Sequence, residues 1–308
     1  SSPSNAAGPA AKSEGKAKAP AKPAAKSVAA SMSPISKQDF GFDQARHLLW
    51  RAGFGGTPQQ IQTLVKWGPQ KSVDMLVNFQ SVAGDPVKPD QFDHNIMRPF
   101  NDEEKAMQRQ AAASRDENKL AELRVKRQSA EQEDREQMRN VQHWWLKRMI
   151  ESPRPLEEKM TLFWHGHFAT SYRTIEDSYH MFAQNDLFRK HAVGNYGDLL
   201  RAIIRDPAMI AYLNNNQSKK GKPNENLARE IMELFSLGVG NYTEQDIKEG
   251  ARALTGYTYQ DDTFVFDKKN HDGGSKNILG ASGTLDGDAF VNTILAQRAC
   301  PSYMATKL

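Results

Sequence analysis

The 308 residues carry 38% hydrophobic and 25% charged side chains, a low apolar share for a globular protein, so part of the chain is expected to lie outside any core. The net charge of +4 sits in residues 1–32, where Lys12, Lys16, Lys18, Lys22 and Lys26 face only Glu14. The remainder is balanced and gives no support for a basic nucleic-acid-binding surface. Cys300 is the only cysteine, so no intrachain disulfide can form, and no run approaches the ~18 consecutive apolar residues of a membrane span.

Residues 1–36 are rich in Ala, Lys, Pro and Ser, and the first 32 hold no aromatic side chain. Such a segment cannot offset its ordering entropy by burial, so it is expected to be disordered and extended. It reads as a spacer left after signal-peptide removal, which predicts a periplasmic or secreted protein; a flexible tail on a cytoplasmic protein is the alternative.

Residues 37–308 read as a mainly α, irregular multi-helix domain with one long charged helix and a small β-hairpin. A helix is expected within 37–56, ended by glycines. A second follows Thr57 with Ile61, Leu64 and Val65 at i, i+3, i+4, and a third carries Val73, Leu76 and Val77. Prolines and a glycine in 84–100 predict a loop. Residues about 102–140 are strongly charged with both signs and lack Pro and Gly, which predicts a solvated helical arm, with an arm that binds a protein partner as the alternative. The arm turns apolar at Val141, Trp144 and Trp145 and stops at Ser152-Pro153-Arg154-Pro155. Helices are then expected around 160–164 and over 177–191, 195–205 and 224–237, with a short one begun by Asp206-Pro207. Thr243 and Asp246 have capping-box spacing. A hairpin is expected to pair 263–266 with 276–279, and further helices to cover 288–297 and to start at Cys300. The domain is expected to be truncated at its C-terminal end.

Five strings, in order, carry a resemblance: HLLWRAGFG at 47–55, FWHGHF at 163–168, GKPNENLAREIMELFSLGVGNYTEQDI at 221–247, ARALTGYTY at 251–259 and HDGGSKNILG at 271–280. Together they resemble the domain of unknown function 1800 family. The resemblance implies a bacterial and usually exported protein but supplies no activity.

Three constellations could carry chemistry. His165 and His167 flank Gly166; in an extended segment both imidazoles could share a metal, whereas on a helix they would point about 200° apart. Asn226, Arg229, Glu230 and Glu233 fall on one helical stripe, where the carboxylates could act as acid and base and Arg229 could hold an anionic group. His271 and Asp272 could complete a metal site, or simply form a polar turn. On this basis Glu230, Glu233, Arg229 and His167 are the candidate catalytic residues. Asn224, Asn226 and Trp164 are candidates for substrate binding, and His165, His167, His271 and Asp272 for holding one divalent metal. The reading they support is a hydrolase or lyase acting on an envelope or extracellular polymer such as a polysaccharide. A non-catalytic envelope binding or scaffold module is the alternative. No nucleophile elbow, Walker loop, dinucleotide fingerprint or His-Glu-x-x-His stands in the sequence.

Overall fold

The computed structural model describes residues 33–84, 89 and 92–308, so the predicted disorder of the first residues and part of the predicted 84–100 loop lie outside the described residues. The chain divides into Ser1–Ile35 and Ser36–Leu308, and all that follows concerns the second unit.

Three short helices open it: α1 (Phe42–Arg51), α2 (Pro58–Trp67) and α3 (Pro69–Val77). Their apolar sides enclose a small core of Phe40, Ala45, Leu49, Ile61, Leu64 and Leu76. The start of α2 is fixed by Thr57, whose Oγ accepts from Gln60 N–H while Gln60 Oε1 accepts from Thr57 N–H at 2.7 Å. That reciprocal pair satisfies two otherwise orphaned donors.

The charged region is two helices where one was expected. α4 (Asp102–Ser114) ends at Arg115, which takes a left-handed conformation at φ 54°, and Asp116 then caps α5 (Glu117–Glu151). The chain folds back on itself, and Lys126 on α5 reaches Glu104 on α4 at 2.6 Å. A left-handed turn at a non-glycine residue has no composition signal, so the sequence hides it. The region is also less solvated than its composition suggests. Asp134 is buried, accepting from the Ser178 N–H and hydroxyl and from the Tyr172 hydroxyl.

Next come α6 (Pro155–His167), α7 (Tyr172–Ile175), α8 (Ser178–Lys190), α9 (Tyr196–Ile203), α10 (Pro207–Tyr212) and α11 (Asn226–Glu230). The last runs directly into a π-helix over Ile231–Leu237. After α12 (Glu244–Ala253) come two separate hairpins, then α13 (Gly287–Leu295) and α14 (Ala299–Lys307). The main core gathers Phe168, Phe188, Leu199, Leu200, Ile203, Leu227, Ile231, Phe290 and their neighbours, with the α11–π segment running through it. Among the described residues no helix is long and apolar enough to cross a membrane.

The predicted pairing of 263–266 with 276–279 does not occur. β1 (Tyr257–Gln260) pairs with β2 (Thr263–Phe266) around Asp261-Asp262, and β3 (Lys276–Ile278) with β4 (Ala281–Gly283) around Leu279-Gly280. Both turns are two residues long, and Asp261 and Leu279 carry the positive φ that such tight hairpins require. The sequence reading left 257–260 unassigned and so gave 263–266 the wrong partner.

Candidate functional site

Residues 155–167 form one continuous helix, which decides the geometry of His165 and His167. Two positions apart on α6, they leave opposite sides of it. His165 packs edge-on against Trp145, with ring centroids 5.1 Å apart, and against Phe188; burial pushes its pKa down. His167 instead lies parallel to Phe163, one turn earlier on the same face, and places Nε2 2.9 Å from the Phe235 carbonyl oxygen. The two imidazoles therefore cannot hold one metal, and the shared site expected for them is corrected.

A carbonyl oxygen only accepts, so Nε2 of His167 carries the proton and donates it. In the neutral ring the Nδ1 lone pair is then left available. Burial lowers the His167 pKa, the Phe235 bond opposes this, and Lys307 lowers it further; the net effect favours the neutral base.

The acidic stripe is only partly formed. The wider turns of the π-helix begin right after Glu230, so the α-helical spacing that would align Glu233 with it is lost. Glu233 accepts instead from the Tyr242 hydroxyl. Arg229 forms a two-pronged pair with Glu244, at 2.9 and 2.8 Å, and a third contact with Glu225. It neither positions Glu230 by a hydrogen bond nor presents a free fork to a ligand. Glu230 is the last residue of α11 and is half-buried. That burial, reinforced by Glu233 and opposed by Arg229, raises its pKa.

His167 and Glu230 line one cavity of about 840 Å³, together with Phe163, Tyr212, Phe235 and Lys307. Leu234 at its rim is 50% exposed, so the cavity opens to solvent. The last π-helical carbonyls are held by side chains rather than left orphaned. Tyr303 donates to Leu234 O at 2.8 Å, and Tyr196 joins His167 on Phe235 O. These bonds fix the wall against which His167 is oriented. Phe163, Tyr212 and Lys307 were not foreseen as site residues; the only signal was Phe163 four positions before His167 on an apolar helix.

The other candidates lie elsewhere. Trp164 is 5% exposed with its indole N–H on the Ala192 carbonyl, so it belongs to the core and offers no surface to a substrate. Asn224 holds a turn: its Nδ2 donates to Asn214 O, and its Oδ1 accepts from Asn226 N–H. Asn226 opens α11 with only its backbone engaged there. Neither lines the cavity. His271 Nδ1 is spent on the Thr255 carbonyl at 2.9 Å. Asp272 is occupied by Arg252 at 2.8 Å, which with other bonds lowers its pKa to about 2. That pair is an ion-paired turn. Among the described residues, none of His165, His167, His271 and Asp272 belongs to a cluster of three or more ligand-type side chains.

The family described as Protein of unknown function (DUF1800) matches residues 47–308. No curated protein and no solved structure matches the chain.

Proposed function

Because the chain belongs to the DUF1800 family, whose description carries no activity, its chemistry has to be read from its own residues, and we propose an exported hydrolase or lyase of an envelope or extracellular polymer, with His167 as base and Glu230 as acid. The observation that carries this reading is the shared cavity: one imidazole with a free Nδ1 and one half-buried carboxyl line the same solvent-open space. Their pKa shifts run in complementary senses. A histidine shifted down is a ready base at neutral pH, and a glutamic acid shifted up keeps its proton longer as a donor. Phe163 and Tyr212 supply apolar walls of the kind a sugar ring packs against. Glu233 supports the site indirectly by raising the pKa of Glu230, whereas Arg229 works against that rise. The Ala/Lys/Pro-rich composition of residues 1–32 supports export.

The test is incubation of the purified full chain with peptidoglycan and with neutral and acidic polysaccharides, reading new reducing ends for hydrolysis and ultraviolet-absorbing unsaturated ends for elimination. Glu230→Gln and His167→Ala should each lower the rate by about 100-fold or more, with unchanged far-ultraviolet circular dichroism. Full activity in both variants would remove the proposed roles. Binding of a polymer without any turnover by the unsubstituted protein would make it a non-catalytic module instead.

A further inference from the structure

A second cleft, of about 530 Å³, lies where α7, α8, the start of α4 and the β1–β2 turn meet. At its wall stand Asp177, His180 and Asp262, each able to offer one ligand atom, and these atoms lie within 4.8 Å of one another. We propose that Asp177, His180 and Asp262 form a binding site for a divalent first-row transition-metal ion, Zn²⁺ or Mn²⁺.

Four observations carry this. The first is the donor set. A neutral imidazole with two carboxylates suits such ions, whereas Ca²⁺ and Mg²⁺ favour oxygen alone. The second is the spacing. One donor atom from each residue lies within 4.8 Å of the other two, and His180 Nε2 stands 3.2 Å from Asp262 Oδ1. Two ligand atoms each about 2.1 Å from one ion are at most about 4.2 Å apart, so closing the cluster takes less than about 1 Å of side-chain movement.

Third, the site is anchored. His180 is 5% exposed and packs edge-on against Tyr259. Asp177 uses Oδ1 to cap α8 by accepting from His180 N–H at 3.0 Å, which fixes the carboxylate and leaves Oδ2 directed at the ring. Such outer bonds orient ligands in metal sites. Fourth, the two carboxylates lack a permanently charged partner among the described residues. Arg98, Lys105 and Arg127 line the same cleft, but they pair with Glu104, Asp102 and Glu131. Among the described residues, no Lys or Arg forms an ion pair with Asp177 or Asp262, and a cation in the cleft would fill that role.

The site is separate from the His167–Glu230 cavity, so the two readings stand or fall independently. Its test is equilibrium dialysis of the untagged full chain against Zn²⁺ and, separately, Mn²⁺, with metal counted per chain and the thermal midpoint measured alongside. One equivalent of at least one ion is expected, with a raised midpoint. Asp262→Asn and Asp177→Asn should each weaken binding by at least about 10-fold. Asparagine still caps a helix, so the second variant should retain the unliganded protein's midpoint. Failure of both ions to bind, or equal binding by both variants, would overturn the proposal and leave His180 in an ordinary ion pair with its two carboxylates.

Discussion

Asp206 caps α10 through Oδ2, which accepts from Met209 N–H at 2.8 Å and from Gln184 Nε2 at 2.6 Å. It is 3% exposed, and burial raises its pKa from the ordinary 3.8 to about 6 in spite of those bonds. The sign of the consequence follows. Below pH ~4 the group is protonated in both folded and unfolded chains and costs nothing. As pH rises towards 6 the unfolded chain ionises first, so stability is lost across that window, and the full cost is present above it. A shift of this size corresponds to about 3 kcal/mol at neutral pH. Asp206→Asn keeps an acceptor for both donors and has no charge to desolvate. It should gain stability relative to the unsubstituted protein between pH 4 and 7, by about 1–3 kcal/mol. Urea denaturation of both proteins across that range measures it, and parallel pH profiles would refute it. The sequence reading recognised Asp206-Pro207 as a helix start, because a cap is a local signal. It could not see the burial, which depends on Gln184 arriving from α8. The same limit applies at both clefts. His-x-His is visible in the sequence, but which face each imidazole takes is decided by whether α6 continues through Gly166. His180 and Asp262 meet only because the β1–β2 turn folds against α8.

Helices α5, α6 and α8 are tied together by one buried carboxylate. Glu158 is fully buried and accepts from Arg148 Nε at 2.8 Å, Arg189 Nε at 2.8 Å and Nη2 at 3.1 Å, and Trp145 Nε1 at 3.0 Å. Both guanidinium groups also lie over the Trp144 ring, at 5.3 and 5.2 Å from its centroid. Burial pushes the Glu158 pKa up, but Arg189 and Arg148 outweigh it and hold the carboxylate ionised. Breaking such a network from one side leaves buried charge uncompensated. Glu158→Gln removes the negative charge nearest to both guanidinium groups and should cost about 3–5 kcal/mol in chemical denaturation. Arg148→Met leaves Glu158 with Arg189 and Trp145 and should cost less. A loss below about 1 kcal/mol in Glu158→Gln would mean that water or neighbouring groups take over its role. At this scale the helices with strong caps or apolar periodicity were legible: α2 behind Thr57, α12 behind Thr243, and α9 behind Asn195. The failures have physical reasons. The break at Arg115 uses no glycine, the π-helix after Glu230 has the composition of an α-helix, and the Glu158 network reads as ordinary surface charge along a polar helix.

Among the described residues, the domain has two cores of unequal size. The larger one joins α6 and α8–α14 with the inner faces of both hairpins, whereas α1–α3 close around six buried side chains of their own. The small bundle packs against the end of α5 and the start of α6. Gly53 sits so close to Pro155 that an added Cβ would stand 2.8 Å from the proline ring, and the Lys159 ammonium lies 5.0 Å over Phe54. The family match begins inside α1 and covers α2 and α3, so most of the bundle falls within the family domain. A cluster this small should open at lower free energy than the main core. Native-state hydrogen exchange should therefore show amides of α1–α3 exchanging before those of Leu199–Ile204 and Leu227–Leu237, where most side chains are fully buried. Leu64→Ala removes a 3%-exposed side chain from the small core and should cost that bundle about 2–5 kcal/mol. Protection should fall across α1–α3 alone, leaving the walls of the His167–Glu230 cavity unchanged. An equal loss of protection throughout the chain would mean that both cores unfold as one cooperative unit, with the Gly53–Pro155 and Phe54–Lys159 contacts coupling them more strongly than their extent suggests.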